Sequence, residues 1–150
     1  MSKVTPFAYR VKSMVKIIDG DTFDCVLDLG FDVLLEARIR MARIDTPASR
    51  TRDLIEKQFG LASKNYLIER IQAAQDIIVR TELDNEKGKF GRILGTVYLD
   101  DVDVNQQMIQ DGYAVGYHGQ NKNAIKEQHL VNRDRLLTEN KVQLDTNFGK

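Results

Sequence analysis

The sequence predicts an α+β domain, mainly a five-stranded Greek-key β-barrel with three helices. Three observations carry this expectation. Three β-patterned segments precede Pro47, one long amphipathic segment follows, and two further β segments give way to two helical ones. The 150 residues suffice for one hydrophobic core and fall short of two, since domains usually run to about 100–200 residues. One domain over 1–150 is expected, with its core over about 9–141 and a polar, frayed tail over 142–150. A chain of this size buries roughly 68–70% of its unfolded surface, so a metal would serve function rather than folding.

The first strand runs from about Tyr9 to Ile18 and reaches Asp19-Gly20-Asp21, where Asp-Gly signals a tight turn. Phe23, Cys25, Leu27 and Leu29 alternate with Asp24, Val26 and Asp28, the period-two pattern of a half-buried strand. In the third strand Leu35, Ala37, Ile39 and Met41 share the core face, and Glu36, Arg38 and Arg40 share the other. Arg43 breaks that phase and marks a bulge or strand end, and Pro47 forbids a regular ladder beyond it. Phe59, Ala62, Tyr66, Leu67 and Ile71 recur at three-to-four spacing, which predicts a helix from about Ile55 to Gln72. Strands from Asp76 to Glu82 and from Arg92 to Leu99 follow, joined by a loop over 85–91. A short helix from Asn105 to Asp111 ends at Gly112, a C-terminal cap, and a last helix runs from about Ala124 to Glu139. This element order fits the oligonucleotide-binding kind of barrel, which by itself fixes no reaction.

Lys plus Arg and Asp plus Glu each number 22, so the net charge is zero and no global field draws polyanions. A nucleic-acid role must rest on local clustering. Arg38, Arg40, Arg43, Arg50 and Arg52 stand against Glu36 and Asp45 in one stretch, a pattern equally open to solvated strand and loop. The single cysteine, Cys25, excludes an internal disulfide and suits a reducing compartment. On the apolar face of its strand it reads as a buried inert thiol rather than a nucleophile. Met1 to Arg10 lacks the apolar stretch of a signal peptide, and no run approaches the roughly 18 apolar residues of a membrane span. The chain is expected to be soluble, unexported and cytoplasmic, with no membrane partner.

Three separated pieces carry chemistry: Ile18-Asp19-Gly20-Asp21-Thr22, Arg40 through Ile44-Asp45-Thr46-Pro47, and Lys89-Phe90-Gly91-Arg92. Singly, each is a common turn, strand end or loop. Together, two carboxylates at strand ends and two arginines are the parts that a hard cation and a phosphodiester require. With Glu127-Gln128-His129-Leu130 added, the sequence resembles the staphylococcal nuclease (thermonuclease) family over about Tyr9 to Lys141. From Asp45 to Leu130 the pieces keep the family spacing without insertion or deletion.

The resemblance implies one Ca²⁺ ion bound by the carboxylates of Asp21 and Asp45 and the backbone carbonyl of Thr46, with water and substrate completing the shell. Ca²⁺ takes about 6–8 oxygens in flexible geometry, which suits such a set. Asp19 is an outer-shell or turn residue. Arg40 and Arg92 look like the family's pair that grips the scissile phosphate, a task for planar, permanently charged guanidinium forks. Lys89 is placed at a terminal phosphate from the rim, or else is a solvated loop lysine. Where the family commonly has tyrosines, this chain has Phe90, His118 and Gln120. Phe90 keeps an aromatic face without the hydroxyl, His118 either stacks on a base or is exposed loop, and His129 is structural. The implied partner is DNA, with RNA also open, bound by a monomer.

One position departs from the pattern. The family places a glutamate immediately after Asp-Thr-Pro to activate the attacking water, and here that residue is Ala48. Losing a positioned base costs about 10²- to 10⁴-fold, so the resemblance implies a slowed nuclease. Asp53 and Glu56, just downstream, are candidate substitutes. The alternative is a catalytically silent nucleic-acid-binding barrel. Retention of both carboxylates and both arginines favours an inactivating substitution over drift into pure binding.

Overall fold

The computed structural model describes residues 7–82 and 92–149. The strands are β1 (Ala8–Asp19), β2 (Thr22–Asp28), β3 (Leu34–Met41), β4 (Ile44–Asp45), β5 (Ile77–Glu82), β6 (Ile93–Leu99), β7 (Val102–Asp103) and β8 (Val115–Gly116). The helices are α1 (Leu54–Ala73), α2 (Val104–Gln110) and α3 (Lys122–Thr138).

β1 pairs antiparallel with β2 along one edge and with β5 along the other. β2 pairs with β3 and β5 with β6, and a parallel contact between β3 and β6 closes the five-stranded barrel. Closure removes the unpaired edges that an open sheet would expose. β1 can serve both halves because register shifts after Val11, Met14 and Ile17 coil it strongly. The predicted alternation holds where it faces the interior. Phe23, Cys25, Leu27, Ala37, Ile39 and Met41 are buried against Val79, Val97 and, from α1, Leu67 and Ile71. Each such large side chain contributes about 1.5–3 kcal/mol on burial.

The structure corrects the sequence reading in three places. Leu35, expected on the core face, is 43% exposed because it stands near the turn end of the β2–β3 hairpin, where Val33 and Leu34 are exposed as well. α3 starts at Lys122 rather than near Ala124, because the Asn121 side chain accepts from the Ala124 amide at 2.8 Å and sets the helix start. The tail is also packed rather than frayed. Val142 is buried with Phe59 and Leu136, the Asp145 amide donates to Gln58, and Lys57 stands over the Phe148 ring.

Other expectations hold. Arg43 lies in the turn just past the end of β3, with a φ of 62°. Gly112 has φ 85°, where its amide reaches Ile109 and the Tyr113 amide reaches Met108. Asn105, buried, accepts from the Val97 amide and donates to the carbonyls of Ala42 and Gly95, which ties α2 to the strand ends beside the site. No described helix is long and apolar enough to cross a membrane.

Candidate active site

Asp21 lies in the two-residue turn between β1 and β2. The preceding glycine serves packing here rather than an unusual φ. A Cβ on Gly20 would stand 2.9 Å from the Ser63 Cβ of α1 and 3.1 Å from the Thr46 methyl. The Asp21 carboxylate accepts from the Thr22 hydroxyl at 2.9 Å and the Thr46 amide at 3.2 Å, while its carbonyl accepts from the Met41 amide. Asp45 sits at the end of β4, opposite Val115 of β8, and its Oδ2 lies 2.8 Å from Nε2 of His129 on α3.

Arg40 joins the two carboxylates. On β3 it is opposite Thr22 of β2 and Leu94 of β6. Its guanidinium donates to the carbonyls of Met41 at 2.6 Å and Ile44 at 2.8 Å. The same Nη2 is 3.5 Å from Asp21 Oδ2 and 3.7 Å from Asp45 Oδ1. The Arg40 side chain is only 14% exposed, so these charges are less screened than surface pairs. Arg92 immediately precedes Ile93, whose partner across the closing seam is Ile39. Closure of the barrel therefore brings Arg92 onto the same cavity as Arg40.

Asp21, Arg40, Asp45, Thr46, Ala48 and Arg92 all line one cavity of about 570 Å³. The four charged groups singled out from the sequence are thus gathered rather than scattered. Ala48 presents its methyl group, and its backbone lies directly on α1: a Cβ on Gly60 would be 2.2 Å from the Ala48 carbonyl oxygen. Asp19 lines the cavity but is held by the Ser49 hydroxyl and amide, with Arg50 3.7 Å away.

Beyond the ridge from Asp45 to Ala48 lies an adjoining groove of about 540 Å³, lined also by Asp53, Glu56, Lys126 and His129. Asp53 caps α1, its carboxylate accepting from the Ile55 and Glu56 amides at 3.1 Å. Glu56 Oε2 accepts from the Ala48 amide at 3.4 Å. His118 is exposed beside Arg92 and Tyr117 in a smaller pocket of about 280 Å³, and its amide donates to the Gln120 side chain. Lys89 and Phe90 lie outside the described residues.

Three side chains in this region were not singled out for it from the sequence. His129, expected as structural, reaches Asp45. Lys122 lines both the cavity and the adjoining groove, and Tyr117 lines both the cavity and the His118 pocket. His129 belongs to the Glu127-Gln128-His129-Leu130 motif, but nothing local in the sequence shows that it, Lys122 or Tyr117 meets the strand ends, because each arrives from the segment after β8. On the outer face nearby, the Arg38 guanidinium donates to both oxygens of Asp24 at 2.8 and 3.1 Å and holds that carboxyl below its ordinary range. Burial pushes the Cys25 thiol up to about 12, in keeping with an inert side chain.

The donor set suits a hard cation. The wall between Asp21 and Asp45 offers oxygen ligands, and Thr46 Oγ1 is buried there with no hydrogen-bond partner among the described residues. Among the described residues no cluster of three or more His, Cys, Asp or Glu side chains could cage a metal. Two carboxylates with neutral oxygens are the kind of site that leaves positions open for water and substrate.

The sequence profile described as "Staphylococcal nuclease homologue" matches residues 38–144. A thermonuclease of Staphylococcus intermedius is 31% identical over 108 residues, which is 71% of this chain and 58% of that protein. An uncharacterized endonuclease of Escherichia coli is 28% identical over 113 residues, 75% of this chain and 64% of that protein. The chain spans less than two thirds of the length of either relative.

Proposed function

The chain belongs to the staphylococcal nuclease homologue family, and from that premise we propose that it is a calcium-dependent nuclease, hydrolysing phosphodiester bonds of DNA and RNA to 3′-phosphate products. The observation that carries this reading is the meeting of Asp21, Asp45, Arg40 and Arg92 on one cavity. Asp21, Asp45 and the Thr46 carbonyl would hold the ion. When bound, Ca²⁺ supplies Lewis-acid charge neutralisation at the phosphoryl oxygens.

The chain's own residues supply the rest. Arg40, fixed by two backbone carbonyls, keeps its guanidinium in place while substrate binds, so little reorganisation is needed as charge grows on phosphorus. Arg92 approaches the same phosphate from the β6 side. Donors of this kind are worth about 3–4 kcal/mol each in the transition state. His118 and Tyr117 stand where a neighbouring base can stack, and Lys89 and Phe90 are assigned to the substrate rim. Position 48 is the weak point, because a methyl group takes no proton, and we read the chain as a slowed nuclease on that account.

The test is cleavage of single-stranded DNA by the Ala48→Glu variant with Ca²⁺ and with chelator. Restored, calcium-dependent cleavage, about 10²-fold or more above the unsubstituted chain, is the expected result. Binding of nucleic acid that ignores calcium, with no cleavage by either chain, would instead identify a silent binding module.

A further inference from the structure

Attack of water on a phosphodiester needs a proton acceptor near the reacting phosphorus, and the carboxylates around the cavity differ in how far they are already committed. Asp21 receives Thr22 and the Thr46 amide and faces Arg40. Asp45 receives His129 and faces Arg40. Asp19 is taken up by Ser49 and Arg50. Asp53 holds two amides of the first turn of α1. His129 spends one ring nitrogen on Asp45.

Glu56 is different. A carboxylate has about four acceptor sites on its two oxygens. Among the described residues the Glu56 carboxylate has one hydrogen bond, from the Ala48 amide at a long 3.4 Å. It projects from the first turn of α1 into the groove that shares Asp45, Thr46, Pro47 and Ala48 with the main cavity. Lys122 and Ile125 also line both spaces, and at position 48 the ridge carries only a methyl group, so no longer side chain there stands between Glu56 and the cavity. The groove is roomy enough for water between them.

Resting on the nuclease reading above, we propose that Glu56 is the proton acceptor for the attacking water in this chain, reaching the cavity past the methyl group of Ala48. In the step, the Glu56 carboxylate takes one proton from water and the water oxygen bonds to phosphorus. The bond from phosphorus to the 5′ oxygen breaks, and that oxygen takes a proton from solvent. The products are a 3′-phosphate and a 5′-hydroxyl. Glu56 lies farther from the ridge than a side chain at position 48 would, so it supports slow rather than full turnover.

The experiment is a four-way comparison of the unsubstituted chain, Glu56→Gln, Ala48→Glu and the double variant, each assayed on a single-stranded oligonucleotide with Ca²⁺. Calcium binding, oligonucleotide binding and thermal stability are measured in parallel. Glu56→Gln is expected to lower the residual kcat about 10²-fold, with both affinities within about twofold and stability unchanged. In the Ala48→Glu background the same change is expected to cost no more than a few-fold. Equal losses in both backgrounds would assign Glu56 a structural role and overturn the proposal. Undiminished cleavage by Glu56→Gln would overturn it too, as would an unsubstituted chain that is inert while Ala48→Glu cleaves. In those cases the nuclease reading survives. Silence in all four chains would sink both.

Discussion

Nε2 of His129 lies 2.8 Å from Oδ2 of Asp45, and this contact ties α3 to the strand end that carries the carboxylate. The other oxygen, Oδ1, is 3.7 Å from the Arg40 guanidinium. Outer partners of this kind typically contribute about 10- to 100-fold to metal affinity. His129→Ala is therefore expected to weaken calcium binding by about 10-fold or more in calorimetric titration, with the fold intact by circular dichroism. Unchanged affinity would mean that pairing between β4 and β8 alone fixes Asp45.

α1 supports both acidic loops from below, Gly20 resting on Ser63 and Ala48 on Gly60. Gly60→Ala poses two effects against each other. Alanine gains up to about 1 kcal/mol in helix propensity, while overpacking costs typically about 1–3 kcal/mol and occasionally more. With backbone atoms of Ala48 at 2.2 and 2.4 Å from the new Cβ, the clash wins. We expect a net loss of about 2 kcal/mol, or a melting temperature lower by about 4–8 °C. A stabilised variant in thermal unfolding would show that the loop yields freely.

Alkaline pH tests the packed interior. Burial raises Cys25 from 9.0 to about 12. Burial, with the Asp111 carboxylate at 2.5 Å next in weight, raises Tyr66 above its ordinary 10.0. Both groups stay protonated in the folded chain at pH values where the unfolded chain loses protons. The folded state then binds more protons, so stability falls as pH rises. It is fully present below about pH 9 and declines from there through about pH 12. Denaturant midpoints at stepped pH are expected to show this decline, with Cys25→Ala delaying its onset. A flat profile in the unsubstituted chain would contradict the assigned burial.

Much of this was legible in the sequence because it is local. The period-two alternation from Phe23 to Leu27 fixes which side chains fill the barrel, and the phase break at Arg43 marks where β3 stops. Two carboxylates and two arginines could be picked out by chemistry and by resemblance to a known family. What was not legible depends on contacts distant in sequence. The β4–β8 pairing spans two residues on each strand, too short for a period to register. The approach of His129 to Asp45 joins positions 84 residues apart. The tail reads as polar, yet Val142 packs on Phe59 and Leu136, and Asp145 and Phe148 meet Gln58 and Lys57 of α1.

The account depends most on Asp21 and Asp45 forming a cation site beside Arg40, and calorimetric titration of Ca²⁺ into the unsubstituted chain and into Asp21→Asn tests it most directly. One ion bound per chain, with affinity reduced at least about 10-fold in the variant, is the predicted result. No binding by the unsubstituted chain, or equal binding by both, would contradict it.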